Sequence, residues 1–240
     1  MRQKYILALF LFLFLIIFSW CLQNTKNEEI AQVKEVYKSD IQNQNFAIEE
    51  IKEEKEKYSI EVYYPRTNYE NLNNAITDNV KGTIDLFKKE VESLSDISLS
   101  AKLTLNINYT IYEYLDYISV AIDNVWYLGG AHPNERINTI VYNKKEEKLF
   151  TINDLISKNK TFLKDISEYS YNSLKDNEKI KKYSTDEMLR NGTEPLKDNF
   201  KNFVLTDTGL LIIFNKYDIA PYVAGNFEIR VPYTDMNIEL

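Results

Sequence analysis

Leu99-Ser-Ala-Lys-Leu-Thr-Leu-Asn-Ile-Asn-Tyr-Thr-Ile111 alternates apolar and polar side chains over its whole length. Leu99, Ala101, Leu103, Leu105, Ile107, Tyr109 and Ile111 fall on one side, and Ser, Lys, Thr and Asn on the other. Successive side chains of a strand point to opposite faces, so a period of two predicts a long antiparallel strand with one face in a core and one face wet. Asp116 falls in the turn that follows. Ile118, Val120 and Ile122 predict the returning partner, which runs through Val125-Trp-Tyr127 into Leu128-Gly-Gly-Ala-His-Pro133.

On the N-terminal side, Asn71 to Leu94 changes period. Leu72, Ile76, Val80, Ile84 (or Thr83), Phe87, Val91 and Leu94 recur every three or four residues, the apolar stripe of a helix that Gly82 weakens without breaking. Before it, Ala47 to Lys52 and Tyr58 to Tyr64 read as two strands around a charged turn, with Tyr58, Ile60, Val62 and Tyr64 on one face and Pro65 as the stop. On the C-terminal side, Ile137 to Asn143 predicts a strand, Lys144 to Lys148 a charged turn, and Leu149 to Leu155 a short strand feeding a turn. Thr161 to Leu174 reads as helix, with Phe162, Ile166 and Tyr169 toward the core. Lys175 to Pro195 is helical only in part. Asn202 to Leu205 and Leu210 to Phe214 flank Thr206-Asp-Thr-Gly209, a hairpin turn with Gly where φ > 0 is wanted, and Asn226 to Val231 is the last strand. Strands and helices in blocks, without βαβ alternation, predict an α+β fold: antiparallel sheets with packed helices.

The N-terminus carries an address. Met1-Arg-Gln-Lys4 is a basic head, and Tyr5 to Leu22 is an apolar run with neither charge nor proline. A cationic head before such a run is what export machinery reads, and the positive end stays inside. Everything from Gln23 onward is therefore expected outside the cytoplasm. The run of about 18 residues lies at the lower limit for spanning a bilayer, so it can persist as an uncleaved anchor. Cys21 sits where a lipoprotein signal places its acylated cysteine, although Trp20 and Phe18 depart from the usual residues before it. Release after cleavage is the third outcome. Gln23 to Asn45 is polar, with Ile30, Val33, Tyr37 and Ile41 at helical spacing, and reads as a spacer.

Composition removes several classes. The net charge is −7 with Lys and Glu interspersed, so no basic block exists to neutralise phosphates and nucleic-acid binding is not expected. The acidic surface either steers a cationic partner or simply keeps the protein soluble. One Cys excludes an internal disulfide and a thiolate zinc site, and one His, His132, excludes any site needing two imidazoles. No cofactor or metal is expected.

Three passages taken together resemble a known bacterial extracytoplasmic module. They are Tyr127-Leu-Gly-Gly-Ala-His-Pro133, the Leu149 to Leu155 segment, and Tyr217-Asp-Ile-Ala-Pro-Tyr-Val-Ala-Gly225 followed by Ile229-Arg-Val-Pro-Tyr233. The module is the C-terminal sensor domain of RsiV-type anti-sigma factors, also found beside the catalytic domain of PdaC-type peptidoglycan deacetylases. Tyr64-Pro65, with Leu72-Asn73 opening a helix, is similar to the companion domain that usually precedes it. The resemblance covers roughly residues 46 to 240. With the signal or anchor over 1–22 and the spacer over 23–45 already read from the residues, it implies two small subdomains in tandem, 46–125 and 126–240. It also implies a partner at the cell wall, either peptidoglycan or a wall-directed protein such as lysozyme, met at the outer face of the cytoplasmic membrane. Only Met1 to Lys4 precede the apolar run, so no sigma-factor domain is expected. The deacetylases hold a metal with one Asp and two His, and this chain has one His.

The candidate binding residues follow from those passages: Tyr127, Gly129, Gly130, His132, Tyr217 and Tyr222. Either the glycines and rings form a ligand-facing surface, or His132 caps backbone groups in a tight connection and the tyrosines pin their loop to the core. No catalytic residue is assigned. A carboxylate pair for glycoside hydrolysis cannot be picked from 36 acidic residues without a motif, and no Gly-x-Ser-x-Gly elbow accompanies His132. A polysaccharide hydrolase with unassigned carboxylates is the alternative to a binding module.

Overall fold

The computed structural model describes residues 46–94 and 101–240. The apolar N-terminal run, Cys21, the spacer and Leu99 lie outside the described residues. The alternating stretch becomes the middle of a six-stranded sheet of order β1-β2-β3-β4-β5-β6. Its strands are β1 (Ala47–Glu54), β2 (Tyr58–Arg66), β3 (Leu103–Tyr114), β4 (Tyr117–Tyr127), β5 (Asn134–Asn143) and β6 (Lys148–Phe150). Helix α1 (Glu70–Ser93) lies against β2, β3, β5 and β6. It buries Leu72, Ile76, Val80, Ile84, Phe87 and Val91, while the sheet buries Ile60, Val62, Leu103, Leu105 and Ile107.

Several expectations change. All neighbours pair antiparallel except β2 and β3, which run parallel with Ile60 opposite Leu105. A helix of 24 residues separates them, long enough to carry the chain back to the end from which β2 started, so β2-α1-β3 is a βαβ unit within an otherwise antiparallel sheet. Pro65 sits inside β2 rather than after it. The ladder to β3 has ended at Val62, so a residue without an N–H is tolerated there.

The remaining chain forms α2 (Ile152–Lys158), α3 (Phe162–Leu174), α4 (Glu178–Tyr183), α5 (Asp186–Thr193) and a three-stranded antiparallel sheet, β7 (Phe203–Thr206), β8 (Gly209–Phe214) and β9 (Phe227–Val231). Where a turn was expected after β6, α2 begins. The Asp154 carboxylate accepts from the Thr151 backbone N–H at 2.7 Å, a start signal that the Thr-x-x-Asp spacing encodes. Phe162, Ile166, Leu189, Phe200 and Phe214 share one core beneath these elements. Gly209, at φ 141°, turns the β7–β8 hairpin, and a Cβ there would meet the Val231 carbonyl at 2.4 Å.

The small sheet covers the face of the large one that the alternating pattern marks as wet. β7 lies against β3, β4 and β5, and β4 is buried on both faces over most of its length. Ala121 packs with Val204 and Leu211. Ser119 Oγ accepts from the Leu205 N–H (3.0 Å) and Thr139 Oγ1 from the Phe203 N–H (2.9 Å). Small hydroxyl residues read as a solvent face but here serve as acceptors for a second layer. Ala47–Leu240 is one compact unit. Among the described residues no helix is long and apolar enough to cross a membrane.

Candidate functional site

Two loops meet at one end of the sheets. The first, residues 128–133, follows β4. Gly129 takes φ 85°, the left-handed region that favours glycine, whereas a Cβ on Gly130 would find nothing nearer than 4.0 Å. The second loop joins β8 to β9. Its Asn215 is buried and bonds both backbone groups of Ile137 on β5, accepting from the N–H (2.6 Å) and donating to the carbonyl (3.0 Å). Asn215 N–H in turn donates to the Asp218 carboxylate at 2.8 Å, so the loop is fixed at its root.

From that root the His132 and Tyr222 rings stack, with centroids 3.6 Å apart and planes 17° from parallel. The Tyr222 hydroxyl donates to the Pro133 carbonyl (2.8 Å), and Lys216 Nζ lies 4.4 Å from the Tyr222 centroid. Lys216 is also ion-paired with Glu135, the most buried such pair among the described residues. Asn226 closes the ring of contacts by donating to Glu135 and accepting from the Lys216 backbone N–H at 3.0 Å. Burial works against the Lys216 charge, but Glu135 and Tyr222 outweigh it and hold its pKa above the usual lysine value.

Asp123 of β4 stands on the same side. Burial pushes its carboxyl up to about 6; Glu135 adds to the rise and Lys216 opposes it. A carboxyl that retains a proton near neutrality suits general-acid chemistry. Asp123 Oδ1 is shielded from solvent and without a hydrogen-bond partner in the protein. Among the described residues no group of three His, Cys, Asp or Glu side chains could hold a metal ion.

The structure thus gathers three of the candidate residues, His132, Tyr217 and Tyr222. Tyr217 and Tyr222 have ring centroids 6.1 Å apart. Tyr127 closes β4 opposite Thr104, and the two glycines shape the connection that follows. Much of this loop–loop contact is structural, since Tyr222 holds the 128–133 loop down through Pro133. Tyr217 differs: 56% of it is exposed, and its backbone is at φ 71°. Sequence reading missed Asp123, Glu135, Lys216 and Asn226. Asp123 follows Ile122 in an alternating strand and reads as an ordinary solvent-facing acid. Only the second sheet lying over that face makes it exceptional.

Beside Tyr217 a groove of about 550 Å³ opens between α5 and the 216–219 turn, with a mostly polar lining that includes Thr185, Glu187, Asn191, Asn199 and Asp218. Gly192 sets its width. A Cβ there would meet the Asp218 carbonyl oxygen at 2.1 Å, so α5 rests directly on the turn.

Comparison with known proteins agrees with this architecture. Residues 51–135 match the family model described as deacetylase PdaC, and residues 153–234 match that of a protein family of unknown function, DUF3298. The chain is 24% identical over 195 residues to the peptidoglycan-N-acetylmuramic acid deacetylase PdaC of Bacillus subtilis; the match covers 81% of this chain but 41% of that protein. Two crystal structures of DUF3298 proteins share the fold, each with a TM-score of 0.56. The one from Bacteroides fragilis is 19% identical, covering 80% of this chain and 92% of its own; the one from Pseudomonas aeruginosa is 14% identical, covering 81% and 94%.

Proposed function

We propose that this chain, a PdaC-like domain followed by a DUF3298 domain, is a non-catalytic extracytoplasmic module that binds peptidoglycan. The apolar N-terminal run tethers it to the outer face of the bacterial cytoplasmic membrane. The observation that carries this reading is the similarity over 195 residues to a protein whose name places it on peptidoglycan. The site adds physical support: a hydrogen-bonded loop pair presents an exposed tyrosine beside a groove with a mostly polar lining. Residues 46–240 carry no deacetylase chemistry in this reading, because a single His cannot supply the two that such a metal site needs.

The test is co-sedimentation of residues 46–240 with insoluble peptidoglycan at low and physiological salt, with immobilised lysozyme in parallel. Saturable retention by the wall polymer is the expected result. Capture by lysozyme alone, weakening as salt rises, overturns it in favour of a steered protein receptor. Silence in both overturns it as well and makes a polysaccharide-hydrolase screen the next step.

A further inference from the structure

The backbone of Tyr217 is the starting observation. The other described residues with left-handed φ carry no ring: Gly129, Gly209, Gly225, Leu115, Glu147 and Asn237. Tyr217 instead holds a large ring at φ 71°, fixed by its N–H donating to the Ala220 carbonyl (2.9 Å), and leaves 56% of that residue in solvent. The conformation is unfavourable for a side chain bearing a Cβ, and glycine would relieve it. A ring kept at such a position without being buried is a ring presented outward.

What it faces is chemically specific. Across the groove stands α5 with Glu187, Met188 and Asn191, and the floor holds Asn199 and Asp218. The Asn199 amide group donates to two backbone carbonyls, those of Asn191 (2.9 Å) and Glu194 (3.1 Å), so the side chain is locked and its oxygen is presented as an acceptor. The groove therefore combines one flat aromatic face, a thioether, fixed amide and carboxylate acceptors, and an amide able to donate. A sugar presents the complementary set: a C–H face that packs on a ring, and hydroxyl and acetamido groups that need acceptors and donors at its edge.

We infer that this groove, between α5 and the 216–219 turn, is a saccharide-binding site that takes a segment of amino-sugar glycan chain. Tyr217 stacks on a sugar face while Glu187, Asn191 and Asn199 bond its edge. The inference rests on the peptidoglycan-binding reading and locates its contact. The His132–Tyr222 stack is then a buttress that fixes the loop carrying Tyr217, and Gly192 sets the spacing of the two walls.

The experiment uses the full chain in detergent, as wild type and as Tyr217→Gly, Tyr217→Phe and Asn191→Ala. Each is measured for retention on insoluble peptidoglycan, for shifts of side-chain amide NMR signals with a soluble N-acetylglucosamine tetramer, and for thermal melting. The expected result is wall retention by the wild type and by Tyr217→Phe. Tyr217→Gly should lose about tenfold or more in affinity while melting no lower than wild type, which a purely structural ring would not do. Asn191→Ala should also weaken binding, and it carries the decision if Tyr217→Gly melts early. Equal retention of all variants overturns the groove assignment and leaves the wall-binding reading standing. If the wild type is not retained, that reading fails. Tetramer-induced shifts at Asn191 and Asn199 would then still support a saccharide site, and their absence would overturn it.

Discussion

Substituting Ala for Gly at positions 192 and 82 pits one chemical change against itself. Both glycines lie in helices, where a methyl group adds up to about 1 kcal/mol of propensity. At Gly82 of α1 nothing lies within 4 Å of the new Cβ, so that gain stands alone. At Gly192 of α5 the Cβ would sit 2.1 Å from the Asp218 carbonyl oxygen and 2.6 Å from Ile219 Cγ2. The first obstacle is backbone in a turn held by Asn215, so it cannot swing aside as a flexible side chain would. Overpacking of this kind costs about 1–3 kcal/mol, and a backbone clash belongs at the upper end. Subtracting the propensity gain leaves a loss of about 2 kcal/mol. For a unit of this size each kcal/mol moves the midpoint by about 2–4 °C, so Gly192→Ala should melt about 4–8 °C lower and Gly82→Ala about 2–4 °C higher. Calorimetry or circular dichroism melts of the two variants decide it. A Gly192→Ala protein that melts within a degree of wild type would refute the direct seating of α5 on the 216–219 turn.

Asp123 supplies a pH dependence with a definite sign. Its folded carboxyl, raised from 3.8 to about 6, binds its proton more tightly than the unfolded chain does, so ionisation opposes folding and stability falls as pH rises from about 4 to 6. The loss is at most about 3 kcal/mol, and Asp123→Asn should remove it: urea melts at pH 7.5 and pH 5 should show the variant gaining more over wild type at the higher pH, because only part of the loss has set in at pH 5. The opposite ordering would contradict the burial of this group. Asn215→Ala strips both backbone groups of Ile137 of their partners and should cost about 3 kcal/mol, read as a drop in urea midpoint with unchanged slope. Tyr233→Phe removes a hydroxyl that donates to the Thr206 carbonyl (2.9 Å) and accepts from its N–H (3.1 Å), and should cost about 1–3 kcal/mol with faster exchange of the Thr206 amide.

The elements were legible where one periodicity acts alone. The α1 stripe and the inner face of β3 each answer to the space between that helix and the large sheet: Leu72, Ile76, Val80, Ile84, Phe87 and Val91, and Leu103, Leu105, Ile107 and Tyr109, are buried as named, whereas Leu94 and Ile111 are half-buried and Ala101 is exposed. The Thr206–Gly209 turn was legible because its glycine has no substitute. The parallel pairing of β2 with β3 was not, since a pattern of faces carries no information on strand direction. Nor was the second sheet's seat: Ser119, Ala121 and Thr139 are as acceptable facing water as facing β7. At the candidate site the aromatic and glycine residues stood out by type. The charges around them did not, because Glu135 and Lys216 lie 81 residues apart and meet only in the folded chain.

Strand β7 relies on acceptors made long before it. The N–H groups of Phe203 and Leu205 bond hydroxyls 64 and 86 residues earlier in the chain, so a ribosome finishes the large sheet before the apolar Phe-Val-Leu-Thr segment emerges. Read in this direction, a sticky edge meets its cover at once. Read in another, as in a circular permutant beginning at Asn202, the same edge would wait uncovered through most of synthesis, a template for other chains to pair with. That permutant should aggregate more readily on refolding than the native order, and equal solubility of the two would show that this edge needs no early cover.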